Sequence, residues 1–116
     1  MRSVAQFQIL LLILLVPGIS TAVSPEQRIE MGKAIAFNRN AGNCLSCHVI
    51  ADGELPGMIG PPLVQMKLRF PDRSALRSQI WEAAKRNPDT VMPPYGRHSI
   101  LTEQEVDLVV DFIHSL

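Results

Sequence analysis

The chain has 116 residues and a formal net charge of zero, because 11 basic side chains balance 11 acidic ones. A chain of this length suits one small domain. The balanced charge excludes the strongly basic surface that is typical of nucleic-acid-binding proteins, so we expect no nucleic-acid partner.

Residues 1–22 have the order of a secretory signal peptide. Arg2 supplies a basic start, residues 9–16 form an unbroken apolar run, and small residues lead up to Ala22. The apolar run is much shorter than the ~20 residues that a membrane-spanning helix needs, which argues against an uncleaved membrane anchor. We therefore expect export with cleavage after Ala22, which leaves one domain over residues 23–116 with no membrane attachment.

The mature chain opens with a helix signal. Ser24, Pro25 and Gln27 supply an N-cap, a first-turn proline and a capping box, which predict a helix that ends at residues 40–42. Residues 49–70 have no sustained period and are interrupted by Gly and Pro, so we expect a structured loop there. A loop of that length in a compact domain usually wraps around something.

Two further helices complete the predicted fold. Asp72 or Ser74 can cap the second helix, which should end at residues 87–88. Thr102 and Glu105 form a capping box for the third helix. The expected buried residues are Leu76, Ile80, Ala83 and Ala84 in the second helix, and Val106, Val109, Val110 and Ile113 in the third. Since no stretch alternates apolar and polar residues in the manner of a strand, the predicted fold class is all-α.

The two cysteines of the chain lie in residues 44–48, Cys-Leu-Ser-Cys-His. A redox disulfide usually belongs to an alternating strand–helix pattern, which is missing here, and a structural disulfide would close only a tiny loop. A zinc site would need a second pair of ligands, which His98 and His114 do not form. Attachment of a c-type haem uses every residue of Cys-x-x-Cys-His, and we favour this interpretation.

In this interpretation Cys44 and Cys47 form thioether bonds to one haem c, and His48 is the proximal iron ligand. The covalent haem would supply the apolar core that a mature chain of 94 residues (116 minus 22) lacks. A ligating histidine needs a hydrogen bond to its other ring nitrogen. Residues 60–63, Gly-Pro-Pro-Leu, resemble the Gly-Pro-x-Leu segment of class I cytochromes c, in which the proline carbonyl accepts that bond. Pro61 is the matching residue, and the alternative is a tight turn with no further role.

The sixth iron ligand has several candidates. Met92 precedes Pro93 and Pro94, which stiffen its loop, and Met-Pro-Pro resembles the distal-ligand loop of bacterial class I cytochromes c. We therefore favour Met92, against the commoner role of methionine as a filler of core gaps. The alternatives are Met58, Met66 and His98, whereas Met31 and His114 are not expected to bind iron. A pair of axial ligands indicates electron transfer and not the binding of small gases.

Four segments in order resemble one narrower family: residues 38–48, 60–63, 87–96 and 98–105. Together they are similar to SoxX, the family of small monohaem cytochromes of the bacterial thiosulfate-oxidising Sox system. The third segment, running into His98 and Leu101-Thr102, carries most of the specificity, because Cys-x-x-Cys-His is common to all c-type cytochromes. The resemblance implies a class I cytochrome c-like fold, in which three main helices and their loops wrap around one covalent haem.

The same resemblance implies a periplasmic protein that pairs with a SoxA-like haem subunit and contacts the SoxYZ carrier and a downstream cytochrome transiently. That complex is an L-cysteine S-thiosulfotransferase, which joins thiosulfate to a cysteine of SoxYZ and releases electrons. With both cysteines bound to haem, this chain has no free thiol, so we expect it to accept and relay electrons and not to be catalytic alone. The alternative is a free-standing soluble periplasmic shuttle. A shuttle should have a small, charge-ringed interface and a subunit a large apolar one.

Overall fold

The computed structural model describes residues 22–116, so the predicted signal peptide lies outside the described residues apart from Ala22. The α-helices are α1 (Pro25–Phe37), α2 (Met66–Arg69), α3 (Arg73–Trp81) and α4 (Glu103–His114), with 3₁₀ turns at Cys44–Ser46 and Ala83–Lys85. No β-strand occurs between residues 22 and 116, which confirms the all-α prediction.

Helix α1 begins as the sequence predicts. The Ser24 hydroxyl accepts a hydrogen bond from the Gln27 backbone N–H, and the Gln27 side chain accepts one from the Ser24 N–H. The helix ends earlier than expected, at Phe37, with Asn38 as its C-cap. Asn43 then has a left-handed φ of 49°, a conformation that asparagine adopts more readily than most residues. The chain thereby turns from the helix into the first 3₁₀ turn.

Helix α4 and its capping box are also confirmed. The Thr102 hydroxyl accepts from the Glu105 N–H, and the Glu105 carboxylate accepts from the Thr102 N–H. All the predicted apolar positions of this helix are buried: Val106, Val109, Val110 and Ile113. Helix α4 is the central element of the described chain, because α1, α2 and α3 all pack against it.

The closest helix–helix approach is between α1 and α4. A Cβ atom at Gly32 would lie 2.0 Å from the Leu108 carbonyl oxygen, so only glycine allows the two backbones to approach this far. Phe37 and Phe112 pack edge to face beside this crossing, with ring centroids 5.8 Å apart. The two ends of the domain are thus held together by direct backbone contact.

The region between these helices differs from the prediction in two places. Residues 49–70 contain the short helix α2, where only a loop was expected. It has no recognisable start signal, because Gln65 enters it with a φ of 51° and without a side-chain cap. Helix α3 begins at the predicted Asp72 cap but ends at Trp81. The 3₁₀ turn that follows leaves Ala84 exposed, so the expected burial of Ala84 was wrong.

Ion pairs join three helices at one side of the domain. Asp111 of α4 contacts Arg28 of α1 at 2.6 Å and Arg73 of α3 at 2.5 Å. One turn earlier, Asp107 contacts Arg77 of α3 at 2.8 Å. These pairs occupy the outer edge of α4, while the opposite face of that helix contributes to the core.

Candidate functional site

The Cys-x-x-Cys-His segment forms one wall of a cavity. Cys44, Cys47 and His48 all line this cavity, and both cysteines are half-buried free thiols. The backbone carbonyl of Cys44 accepts hydrogen bonds from Cys47 N at 3.2 Å and from His48 N at 2.9 Å. The tight turn therefore brings both thiols and the imidazole to the same cavity, as the motif predicts.

A second segment, residues 57–63, lies across the motif and holds it in place. Three backbone hydrogen bonds join the two segments: Gly57 N to Leu45 O at 2.7 Å, Gly60 N to Cys47 O at 2.8 Å, and Leu63 N to Val49 O at 2.9 Å. These bonds fix the position of residues 57–63, within the predicted loop, relative to the motif. We refer to residues 57–63 as the clamp segment.

The clamp segment also fixes the ring of His48. Nδ1 of His48 lies 2.7 Å from the carbonyl oxygen of Pro61, which is the hydrogen bond that the sequence predicts. Since a carbonyl oxygen only accepts, Nδ1 carries the proton and Nε2 keeps its lone pair available for a metal. A Cβ atom at Gly60 would lie 2.4 Å from Cε1 of His48, so a glycine is needed beside the ring.

The opposite wall comes from the loop between α3 and α4. Met92 lines the cavity and is half-buried, and its backbone N–H donates to the hydroxyl of Thr90 at 3.1 Å. Tyr95 also lines the cavity, and its hydroxyl donates to the carbonyl of Gly42 at 2.6 Å. This hydrogen bond ties the Met92 loop to the chain just before the cysteine motif, so the two walls are connected directly.

The other candidate sixth ligands differ in whether they line the cavity. Met66 lines the same cavity as Met92 and is only 2% exposed. The remaining candidates do not line it: Met31, Met58, His98 and His114. Met58 is 87% exposed, and Nε2 of His114 contacts the carbonyl of Phe70 at 2.9 Å. Among the described residues, the structure thus brings two methionines to the cavity that contains His48.

The cavity between these walls has a volume of about 420 Å³. Its floor is apolar and is built by core residues of three helices: Met66, Leu76, Ile80, Val109 and Ile113. Cavities of a few hundred cubic ångströms with apolar walls and few polar groups are typical of cofactor sites. The loops before and after α3 therefore enclose a site that is large enough for an organic cofactor.

A family model described as "Cytochrome C oxidase, cbb3-type, subunit III" matches residues 28–113, which is most of the chain. The chain belongs to this cytochrome c family. A solved structure described as "Crystal structure of SoxXA from P. pantotrophus" is also similar, with a TM-score of 0.67 and 28% sequence identity. The similarity covers 74% of this chain and 79% of that chain. A comparison with curated proteins found no match.

These two findings establish a SoxX-like cytochrome with a class I cytochrome c fold, as the resemblance of the sequence predicts. A cytochrome c domain implies a haem c. The cavity fits this group, because it combines two thiols, an imidazole oriented by Pro61 and a methionine thioether around an apolar floor. Gly60 adds a close backbone approach at this wall, whereas the close approach at Gly42 is to α1, where a Cβ atom would lie 2.8 Å from the Ile35 carbonyl oxygen.

Burial shifts the pKa of two groups at the cavity. It raises the pKa of the Cys44 thiol to about 11, so this cysteine is a poor nucleophile in the folded chain at neutral pH. Burial likewise raises the pKa of Tyr95 to about 12, which keeps its hydroxyl protonated as the donor to Gly42. Neither group is thereby suited to acid–base chemistry near neutral pH.

Sequence reasoning missed one polar residue of the cavity wall, Gln79, which lines the cavity together with Arg69. Arg69 Nη1 donates to the Pro62 carbonyl at 2.8 Å and contacts the Met66 sulfur at 3.4 Å. Gln79 lies on α3, and its Oε1 is buried without a hydrogen-bond partner among the described residues. No local signal distinguishes Gln79 from its polar neighbours Arg77 and Ser78, which also lie between the buried Leu76 and Ile80.

Two further results concern residues 22–116. Nowhere in this range do three or more His, Cys, Asp or Glu side chains come together as a potential metal site. Within the same range, every helix is too short or too polar to cross a membrane.

Proposed function

We propose that this chain is a monohaem electron-transfer subunit of a periplasmic thiosulfate-oxidising complex. In this proposal Cys44 and Cys47 are the thioether positions, and His48 and Met92 are the axial ligands. The observation that carries the proposal is the cavity shared by these four side chains in a chain similar to SoxXA. When bound, the haem supplies one-electron chemistry at an iron held between an imidazole and a thioether.

The residues of the chain divide the work of holding the group. The Pro61 carbonyl fixes the tautomer of His48, so that Nε2 faces the site as a neutral donor of electron density. On the other wall, Thr90 holds the backbone of Met92, and Pro93 limits its conformations. Two restrained ligands change little in position between oxidation states, which suits rapid electron transfer.

Met92 is a better axial candidate than Met66. The Met66 sulfur already accepts a contact from Arg69 Nη1 at 3.4 Å, and the Met66 N–H donates to the carbonyl of Leu116 at 2.9 Å. Met66 is also only 2% exposed and belongs to the hydrophobic core. Met92 is mounted on a loop with a side chain that no hydrogen bond occupies among the described residues. These observations support His48–Met92 coordination.

The sulfur chemistry of the proposed complex belongs to the partner. The chain has two cysteines, and both are used as thioether positions, so no thiol remains to bind a sulfur substrate. Its part is to accept the electrons released when thiosulfate is joined to a cysteine of the SoxYZ carrier, and to pass them to a downstream cytochrome. The proposal includes export by the signal peptide at residues 1–22.

Exposed apolar side chains beside the cavity support a permanent partner. We call Leu55, Met58, Ile59 and Val91 the apolar rim; they are 89%, 87%, 71% and 76% exposed. Ile59 and Val91 both line the cavity, and residues 55–66 contain no charged side chain. An uncharged apolar surface of this kind resembles the core of a stable interface more than the charge-ringed patch of a diffusing shuttle. The proposed occupant of the rim is a SoxA-like haem subunit.

The experiment is affinity purification of the tagged protein from the periplasmic fraction of thiosulfate-grown host cells. We expect a second haem protein to elute in equal amount with the wild type. Met58→Glu should weaken this association at least tenfold, because it buries a charge in the interface. Leu68→Glu is the matched control, since Leu68 is equally exposed at 75% but lies on α2, outside the rim. Elution of the wild type as a single redox-active cytochrome would identify a free shuttle and overturn the subunit proposal.

A further inference from the structure

The segment that contains Met92 is held only by bonds within its own loop. In the part of the chain that the structure describes, the hydrogen bonds of residues 88–94 all have partners within residues 87–98. The Met92 N–H, for example, donates to the Thr90 hydroxyl at 3.1 Å. Both chain neighbours of Met92 are exposed, so packing restrains this segment little. The position of Met92 therefore depends on how the rest of the loop is attached to the domain.

The loop is attached to the domain just after Met92. One attachment is the hydrogen bond from the Tyr95 hydroxyl described above. The other is to Trp81, the last residue of α3, whose carbonyl accepts from the N–H groups of Gly96 and Arg97 at 3.2 and 3.3 Å. The Gly96 backbone also lies against the Trp81 indole, because a Cβ atom at Gly96 would be 2.0 Å from the ring. The end of α3 is thus a base on which the loop rests.

An ion pair closes the same contact. Nη1 of Arg97 donates to Oε1 of Glu82 at 2.6 Å, and Glu82 follows Trp81 directly in the chain. The Glu82 side chain is only 12% exposed, so this charge-assisted hydrogen bond is partly shielded from water. Lys85 also contacts the Glu82 carboxylate, at 3.4 Å, but it belongs to the second 3₁₀ turn. Of these two cations, only Arg97 connects the carboxylate to the loop.

The base of the loop is itself fixed to the centre of the fold. The Arg77 guanidinium lies over the Trp81 ring, 5.0 Å from its centroid, in a cation–π arrangement. Nε of Arg77 also contacts Asp107 of α4 at 2.8 Å. Since neither contact involves Arg97, loss of the Arg97 side chain should free the loop without loosening α3.

We infer that the ion pair between Glu82 and Arg97 restrains the Met92 loop and thereby sets how often the thioether leaves the iron. This inference rests on the proposed haem site. When the loop opens, the sulfur–iron bond of Met92 breaks and an external nitrogen ligand can form a bond to the iron in its place, with no transfer of electrons or protons. Neither Glu82 nor Arg97 lines the cavity, so both are positioning residues that act through the loop.

The test measures the binding of imidazole to the ferric holoprotein. At saturating imidazole the observed rate is limited by the departure of Met92, so it reports the opening of the loop. We expect Arg97→Ala to raise this limiting rate about threefold or more, the effect of losing a charge-assisted hydrogen bond. Lys85→Ala is the matched control, because it removes the other cation on the same carboxylate, and it should change the rate less than about twofold.

Two further measurements separate restraint of the loop from general stability. Glu82→Gln should raise the limiting rate as Arg97→Ala does, and the double variant should add little, because both remove one interaction. The midpoint of urea unfolding should be similar in Arg97→Ala and Lys85→Ala. Equal limiting rates for these two variants would overturn the inference, and so would a faster rate that is matched by a lower unfolding midpoint. Failure of the proposed site is distinguishable, because the wild type would then lack covalent haem or the sulfur-to-iron charge-transfer band.

Discussion

At the scale of single residues, Gly60 lies directly against the ring of His48, the candidate proximal iron ligand. Its backbone N–H donates to the Cys47 carbonyl, and the position of a missing Cβ faces the His48 ring at 2.4 Å. Because this contact is so close, a side chain at residue 60 would displace the His48 ring from its present position against the clamp segment. The hydrogen bond from His48 to Pro61 depends on that fit.

Gly60→Ala should displace the His48 ring and destabilise the fold by about 1–3 kcal/mol, the usual cost of overpacking. Gly53→Ala is the control in the same region, because its added Cβ would mainly meet the flexible end of the Leu45 side chain, with the Ile50 carbonyl oxygen at 3.0 Å. Urea unfolding monitored by circular dichroism measures both. Equal midpoints for the two variants would contradict the close fit around His48.

Met92→Ala should abolish the sulfur-to-iron charge-transfer absorption of the oxidised protein, because it removes the proposed thioether ligand. Met58→Leu is the control, since Met58 is 87% exposed and does not line the cavity. The measurement is the near-infrared absorption spectrum of the ferric protein. Survival of the band in Met92→Ala would assign the ligand to another methionine, and Met66 is the one that shares the cavity.

The hydroxyl of Tyr95 should make stability depend on alkaline pH. Burial raises its pKa from an ordinary value of 10.0 to about 12 in the folded chain. The folded state therefore favours the protonated phenol, and the stabilisation is fully present below pH 10.0 and is lost as the pH rises through about 12. Tyr95→Phe should cost about 1 kcal/mol near neutral pH. Unfolding midpoints from pH 8 upwards should converge for the two proteins, and a constant difference would contradict this assignment.

At the scale of elements, the crossing of α1 and α4 determines how the two ends of the chain meet. Gly32→Ala would insert a Cβ 2.0 Å from the Leu108 carbonyl oxygen, and neither backbone can move aside independently. We expect a loss of about 1–3 kcal/mol in unfolding free energy. Glu30→Ala, at an exposed position of the same helix, should change it by less than about 0.5 kcal/mol. Thermal unfolding of the two variants checks this, and a tolerated Gly32→Ala would argue against the close crossing.

The elements that the sequence predicts well are those with local signals. The Ser24–Gln27 and Thr102–Glu105 capping boxes mark the start of α1 and α4, because both partners of each box lie within one turn. Helix α2 has no such signal, since Gln65 enters it with a left-handed φ and the helix has only four residues. Its formation depends on tertiary contacts, such as the bond from its first residue to the Leu116 carbonyl.

The candidate site likewise has a part that the sequence predicts and a part that it does not. The motif at residues 44–48 and its predicted partner Pro61 were visible, because fixed spacing carries the chemistry. The choice between Met66 and Met92 could not be made from spacing alone, since Met66 reaches the cavity from α2 and Met92 from the loop after α3. The burial of Gln79 Oε1 could not be predicted for a different reason, because it is created by elements that lie far apart in the sequence.

At the scale of the whole molecule, much of the core faces the cavity. Replacing both Cys44 and Cys47 by Ser should prevent covalent attachment of haem and leave this apolar volume without its filling. Without haem, the apolar core residues that line the cavity of about 420 Å³ would meet water, which removes a large share of the burial that stabilises a small domain. We expect the double variant to lose cooperative thermal unfolding and near-ultraviolet dichroism while it keeps part of its helical signal. A sharp unfolding transition like that of the holoprotein would contradict this.

The clamp segment has a consequence for the order of events in the life of the chain. Its three backbone hydrogen bonds and the bond from His48 to Pro61 hold the motif in place, and the half-buried Cys44 and Cys47 thiols line the cavity beside it. Joining haem to the thiols would need both of them to be reactive, and burial in the folded chain raises the pKa of the Cys44 thiol to about 11. In the proposed haem site, we therefore expect attachment to precede closure of residues 57–63, so that the chain folds around a cofactor that it already carries. A chain that has reached this fold would then be one in which haem attachment has already taken place.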